Sequence, residues 1–570
     1  MRLYQLFALA AIVSQASEAS VKTRLNGWFK CTDFTFSDEG SSTGQYTECA
    51  TFSAPLCYPG ICKTPKFADP TIDVFVKRMP ATNGDPETAT NVWFLEGGPS
   101  SSTNMELVMI DVLTQLNGTA NLYTMDYRGL GRSTYLDCIA AQSTTTGSPY
   151  GKEFASSEVP DCAQELENKY GDLAAFSVTS SATDLATFIA KYTNNASTIV
   201  YGSSYGTLFV ERLMHLNPKK VTGYALDGVA TASGASADKF FYMSKRDIDF
   251  GIVGDRFLAL CDEDATCSSH FKEPNTVPTT LRGLLADFDK DPNSTCASLL
   301  KKLKYYGEFA PSGALTLIFG TMLVDAELRK LIPPVVYRMK RCEAKDAEVL
   351  SQFIAYYNTY ASSTSQDAAF ESTLLTSLLY FSEMWERPQP SQAEMDKRFK
   401  NALISAGVFV NQPELYCAFS KEKSKSCDEF NVGNYPAKPI IYKRDQYWNK
   451  TATIPSQASV LLLSSKMDAQ TLHEYAEALL DTLDGDQKEM VTFNTSIHGT
   501  IVYTQLDSGS TCGAKLLASY ANNKGKLNGL DKSCVDEVPA FNLTLPVEYQ
   551  NAYFGTDDVY DGAYNASLTQ

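Results

Sequence analysis

At 570 residues the chain exceeds what one ordinary hydrophobic core encloses, which calls for two domains or one domain with a large insertion. A formal net charge of −17 argues against nucleic acid or an anionic membrane surface as a partner, and is compatible with a cationic ligand such as a free amine. Fourteen cysteines, none in Cys-x-x-Cys knuckles, read as disulfides rather than structural zinc, and nothing calls for a metal or another cofactor.

The chain opens on a lone basic residue, Arg2, then the apolar run Leu6–Val13 and the small residues Ser14–Ser20. That order describes a signal peptide over residues 1–19, too short in its apolar part to span a bilayer comfortably. The expected product is secreted, with Asn-x-Ser/Thr acceptors at Asn117, Asn195, Asn293, Asn449, Asn494, Asn542 and Asn565 as weak further support. Short spans make four cysteine pairs plausible: Cys31 with Cys49, Cys57 with Cys62, Cys138 with Cys162, and Cys512 with Cys534. From Thr71 onward, apolar strands alternate with helical stretches, at 71–78, 92–95, 122–125, 199–201 and 221–226, with helices over 182–192 and 208–216. This is the pattern of a mostly parallel sheet covered on both faces. Residues 231–440 change texture to long helical stretches, for example 336–360 and 370–385. Alternation then resumes with strands at 459–463 and 488–493 around a helix over 471–483. The expected fold is α/β, one domain split into residues 20–230 and 441–540 by a mainly helical cap over 231–440, with a tail over 541–570.

Gly202-Ser203-Ser204-Tyr205-Gly206 lies between an apolar strand and an amphipathic helix, the setting of a nucleophile elbow. Only Ser204 has glycine two positions away on both sides, so it is the expected nucleophile rather than Ser203. A serine hydroxyl needs a base, and the base needs a third group to hold it. With the alternation around it, the elbow makes the expected fold an α/β-hydrolase, in which the order is Ser, acid, His. His498 follows the last apolar strand, whereas His215 and His473 fall in helical stretches and His270 opens the cap. Asp468 ends the stretch after strand 459–463, and Asp481, Asp484 and Asp486 lie on or beyond the next helix. For the oxyanion, Leu95-Glu96-Gly97-Gly98-Pro99 offers a loop after an early strand, with Gly98 N–H and Tyr205 N–H as the expected donors.

Four segments resemble the secreted proline iminopeptidase and tripeptidyl aminopeptidase-like serine peptidases: residues 48–56, Leu95-Glu96-Gly97-Gly98-Pro99, Asp126-Tyr127-Arg128-Gly129-Leu130-Gly131-Arg132-Ser133, and residues 202–207. The third is the most discriminating, and the region around Asp468 and His498 is also similar to the family's terminal section. Ser100-Ser101-Ser102 stands where the family commonly has glycines, and the acid's surroundings, Lys466-Met467-Asp468-Ala469-Gln470-Thr471, lack its proline and preceding glycine. The resemblance implies hydrolysis of short peptides from a free N-terminus through Ser204, Asp468 and His498. Carboxylates would bind the amine, with Glu96, Glu383 and Glu386 as candidates. A serine carboxypeptidase, an esterase or lipase, and a catalytically silent binding protein on the same scaffold are the alternatives. A serine carboxypeptidase is expected to carry proline in place of Arg128-Gly129.

Overall fold

The computed structural model describes residues 23–37, 41–139, 155–234, 236–362 and 365–569; the expected signal peptide lies outside them. Ten strands form one sheet: β1 (Arg24–Leu25), β2 (Phe29–Cys31), β3 (Thr47–Pro55), β4 (Thr71–Met79), β5 (Thr90–Leu95), β6 (Ala120–Met125), β7 (Thr198–Ser203), β8 (Val221–Asp227), β9 (Ser459–Ser465) and β10 (Lys488–Phe493). Their order is β1-β3-β4-β6-β5-β7-β8-β9-β10, with β2 also on β3. The pairs from β6 through β10 are parallel, and the N-terminal pairs, up to β4 on β6, are antiparallel. This is the α/β-hydrolase architecture.

The parallel strands read as unbroken apolar runs because both faces are buried. Trp93, Val200, Leu226 and Leu462 point into one core, while Val92, Phe94, Tyr201 and Leu463 point into the other. The helix Tyr205–Leu216 packs on β7, and Cys512–Asn522 covers the opposite face. The Asp126–Ser133 segment folds into a polar knot at the end of β6. Asp126 accepts from Ser102 N and Oγ at 2.9 and 2.6 Å and from Arg132 Nε at 2.7 Å. Arg128 is fully buried and pairs with Asp184. Two of the three serines after Pro99 are thus engaged: Ser102 on Asp126, and Ser101 N–H on Glu371 Oε1 at 3.1 Å.

Between β8 and β9 the described residues hold helices and no strand. The stretch expected as a helix over 336–360 is two, Ile332–Arg341 and Ala344–Ala361. They part at Cys342, which turns left-handed at φ 50° and is bonded to Cys296. Apolar periodicity runs through such a break unchanged, which hid it. Seven disulfides use all fourteen cysteines. Four are the pairs named above, and Cys261–Cys267, Cys296–Cys342 and Cys417–Cys427 knit the cap. Such density marks an oxidising compartment. No helix among the described residues is long and apolar enough to cross a membrane.

Candidate active site

The chemistry-bearing side chains project from loops at the carboxyl ends of the parallel strands, where open α/β sheets place their ligands. After β5 comes the Glu96-Gly97-Gly98 loop, after β7 Ser204, after β9 Asp468 and after β10 His498. They meet at a cavity of about 230 Å³ bordered by Glu96, Gly98, Ser204, Tyr205 and His498, with cap residues on its other side.

Ser204 sits at φ 54°, ψ −120°, a conformation costly for a side-chain-bearing residue. The turn is tight because β7 runs directly into the helix Tyr205–Leu216. Gly202 and Gly206 make this possible. A Cβ on Gly202 would fall 2.4 Å from Gly206 O, and one on Gly206 would fall 2.5 Å from Leu95 O. Ser203 ends β7 in regular strand geometry, so the chain itself distinguishes the two serines.

His498 Nδ1–H donates to Asp468 Oδ2 at 2.7 Å. Asp468 is held in turn by Gln470 N–H and Thr471 N–H on Oδ1, at 2.8 and 2.9 Å, and by Thr471 Oγ1 on Oδ2 at 2.8 Å. Three donors besides His498 fix the orientation of this buried carboxylate. Burial alone would depress the imidazole, but the Asp468 charge and hydrogen bond outweigh it and hold His498 above its ordinary pKa. The other histidines are elsewhere: His215 stacks on Tyr447, His270 on Tyr560, and His473 meets Ser464 Oγ.

Asp227, at the end of β8, was not legible as a site residue. Its backbone oxygen accepts Ser204 N–H at 2.9 Å, and its carboxylate accepts Thr500 N–H and Ile501 N–H at 3.0 and 2.9 Å. One residue thereby ties the elbow to the loop that carries His498.

On the oxyanion side, Gly98 has φ +99°, a region glycine tolerates. Among the described residues, neither Gly98 N–H nor Tyr205 N–H has a protein acceptor. The cap braces this loop: Tyr380 Oη donates to Gly98 O at 2.5 Å.

The three glutamates part company. Glu96 stands in the cavity, Oε1 taking Gly97 N–H at 3.0 Å while the enclosed Oε2 has no partner. Burial, with the Glu371 and Asp367 charges, pushes it up to about 7 against the relief from Gly97 N–H and His498. Glu383 and Glu386 do not serve as free amine sites, and the expectation for them is corrected. Glu383 is buried against Arg212 Nη2 at 3.3 Å and Tyr442 Oη at 2.9 Å, and Glu386 takes Arg398 Nη1 at 2.6 Å and Ser244 Oγ at 2.8 Å. Near-aromatic position in sequence says nothing about which cation has already claimed a carboxylate. The residue that sequence reasoning passed over in the cavity is Arg246, the first residue of the helix Arg246–Ala259.

Residues 421–534, which span β9, β10, Asp468 and His498, match the family model described as TAP-like protein. This C-terminal part of the α/β-hydrolase fold is thus similar to TAP-like proteins. Among solved structures, proline iminopeptidase from Mycobacterium smegmatis is 11% identical, covering 81% of this chain and 98% of that one, with a TM-score of 0.29. An esterase from Exiguobacterium antarcticum is 11% identical, covering 76% and 91%, with a TM-score of 0.28. Likenesses this low carry no argument about substrate. No curated protein matches the sequence. The TAP-like match ends at Cys534, before the C-terminal return to the cap described below.

Proposed function

We propose that this chain is a secreted serine peptidase that cleaves short peptides near a free N-terminus. The observation that supports it most is the 2.7 Å contact of His498 Nδ1 with Asp468, in a cavity that Ser204 enters from a strained elbow. In the proposed mechanism, His498 Nε2 accepts the Ser204 proton as Oγ attacks the scissile carbonyl. Asp468 holds the imidazole in the tautomer that leaves Nε2 free and stabilises the imidazolium. Gly98 N–H and Tyr205 N–H receive the oxyanion. The imidazolium then protonates the leaving nitrogen as the C–N bond breaks, and water, deprotonated by His498, releases the acyl group.

The preference for a free amine rests on Glu96, a carboxylate with an enclosed, unpartnered oxygen beside the oxyanion loop. An ammonium group would supply that missing partner and a compensating charge.

The test pairs fluorophosphonate labelling with digestion of a defined peptide mixture read by mass spectrometry. Wild-type chain is expected to label, Ser204→Ala to lose labelling and at least about 10⁴-fold in turnover, and Ser203→Ala to keep far more of both. Products are expected to be shortened from the N-terminus, with N-acetylated peptides spared. Trimming only from the C-terminus overturns the aminopeptidase reading.

A further inference from the structure

Arg246 is the cation in the catalytic cavity, and its hydrogen bonding is incomplete. The guanidinium has five N–H donors in a rigid fork. Among the described residues only Gln470 Oε1 receives one, from Nη2 at 3.5 Å, and Nε is enclosed with no acceptor. No ion pair joins it to a carboxylate there; Asp249, one turn along the same helix, feels its charge but takes its hydrogen bonds from Tyr475 Oη. Phe250 lies 5.2 Å beneath the guanidinium carbon, a platform that orients the fork without satisfying it. Neighbouring cap and helix arginines differ: Arg212 has Glu383 and Asp445, and Arg398 has Glu386 and Glu394. Leaving a buried donor unmade is costly, and a bidentate fork is the side chain best matched to a carboxylate.

Position tells which part of a substrate would meet it. Gln470 lies two residues beyond Asp468, so Arg246 borders the acid–histidine side of the cavity, and its charge acts on His498. His498 protonates the leaving nitrogen, so a group beside it faces the departing fragment. Glu96 stands at the oxyanion loop, with Gly97 and Gly98. A cavity of about 230 Å³ brings the two sides close.

We propose that Arg246 forms a subsite for a carboxylate on the leaving fragment, so that the favoured substrates are short peptides whose released part carries a carboxylate next to the cut. This rests on the serine-peptidase reading above. The carboxylate has two sources, the free C-terminus of a one-residue leaving group or the side chain of an aspartate just after the cut. With Glu96 lining the same cavity, the site presents both a carboxylate and a guanidinium to a peptide and selects for its charged groups as well as for sequence.

Three substrates sharing one acyl part test this: an acyl-Ala with a free C-terminus, its C-terminal amide, and the acyl-Asp amide. Wild type is expected to cleave at least one carboxylate-bearing substrate about 10- to 100-fold more efficiently than acyl-Ala amide, through KM more than kcat. In Arg246→Gln that ratio is expected to collapse toward one, with Arg246→Lys between. Preference for the free C-terminus identifies a terminal carboxylate, and preference for the Asp amide identifies a side chain. A wild-type melting temperature and retained labelling of Ser204 by a fluorophosphonate show that the fold and nucleophile of each variant are intact, whatever the labelling rate does as the Arg246 charge on His498 changes. Equal efficiency on all three wild-type substrates, or a ratio unchanged by Arg246→Gln, overturns the proposal while leaving the serine-peptidase reading in place. Absence of labelling in wild type overturns both.

Discussion

At the scale of single residues, Glu96 and His498 are both pushed up, from different causes, and bear on different quantities. Glu96, pushed up to about 7 by burial, is neutral below that pH and charged above it. An ammonium group therefore meets a charged partner only as pH rises through about 7. KM for a substrate with a free N-terminus should fall over that interval, and Glu96→Gln should flatten the dependence. The groups that act on Glu96, namely Glu371, Asp367 and His498, remain in that variant. The rate of fluorophosphonate labelling, which involves no substrate amine, isolates His498, whose limb should lie above 6.5 because Asp468 favours the imidazolium. Linkage gives an independent check. A carboxyl raised from 4.5 to about 7 on folding costs no stability below 4.5, and its cost is complete above about 7. Glu96→Gln should thus gain in melting temperature relative to wild type between pH 5 and pH 8. The same residue shows what sequence could and could not supply. Its place beside Gly97-Gly98 made it a candidate, whereas its unpartnered oxygen, and the arginines that occupy Glu383 and Glu386, depend on tertiary contacts that no local pattern encodes.

At the scale of elements, the site depends on how the ends of β7, β8, β9 and β10 are locked together. Local signals announced the elbow, because Gly202 and Gly206 are demanded by the approach of one strand, one helix and the neighbouring strand's Leu95. Asp468 and His498 were legible from chain order after β9 and β10. Asp227 was not, since an aspartate ending a strand has no pattern of its own; only the parallel pairing of β8 with both β7 and β9 brings its two ends to the elbow and to Thr500. Asp227 acts on the reaction through these contacts, as a positioning residue. Asp227→Ala leaves the buried Thr500 N–H, Ile501 N–H and Tyr201 Oη without their acceptor, at about 1–3 kcal/mol for each group. The expected result is a lower melting temperature, with kcat reduced more than KM as His498 loses register with Ser204. Asp227→Asn, which keeps one acceptor oxygen, should restore part of kcat. A melting loss with kcat untouched would assign Asp227 to stability alone.

At the scale of the molecule, the cap is more than an insertion between β8 and β9, because the chain returns to it after the hydrolase domain is complete. Residues 541–569, expected as a tail, lie on the cap helices Ile332–Arg341 and Ala344–Ala361. Arg338 is fully buried, with Nε on Val559 O at 2.6 Å, Nη2 on Asp558 O and Gly562 O at 3.0 and 2.9 Å, and Nη1 on Asp346 at 3.0 Å. Arg341 reaches Asp561 and Tyr560 O, and Phe554 stacks 5.9 Å from Phe353. Leu545, Tyr553, Phe554 and Tyr560 also enter the core here, and the carbonyl oxygens on Arg338, which every residue has, carry no sequence signal of the docking. Ending the chain at residue 540 would strip a buried guanidinium of most of its acceptors, a loss on the order of 3–5 kcal/mol. Spread over a cap of some two hundred residues, that corresponds to roughly 10 °C in melting temperature. The effect should reach the active site, because the cap helix Thr373–Glu383 holds the oxyanion loop through Tyr380 and anchors on the nucleophile helix through Glu383 and Arg212. The truncated chain is therefore expected to melt earlier and to react more slowly with a fluorophosphonate, with early proteolytic cuts in the cap rather than in the sheet. Unchanged melting and labelling would mean that the return segment merely covers the cap, and that the cap holds its shape, and the oxyanion loop, through its own disulfides.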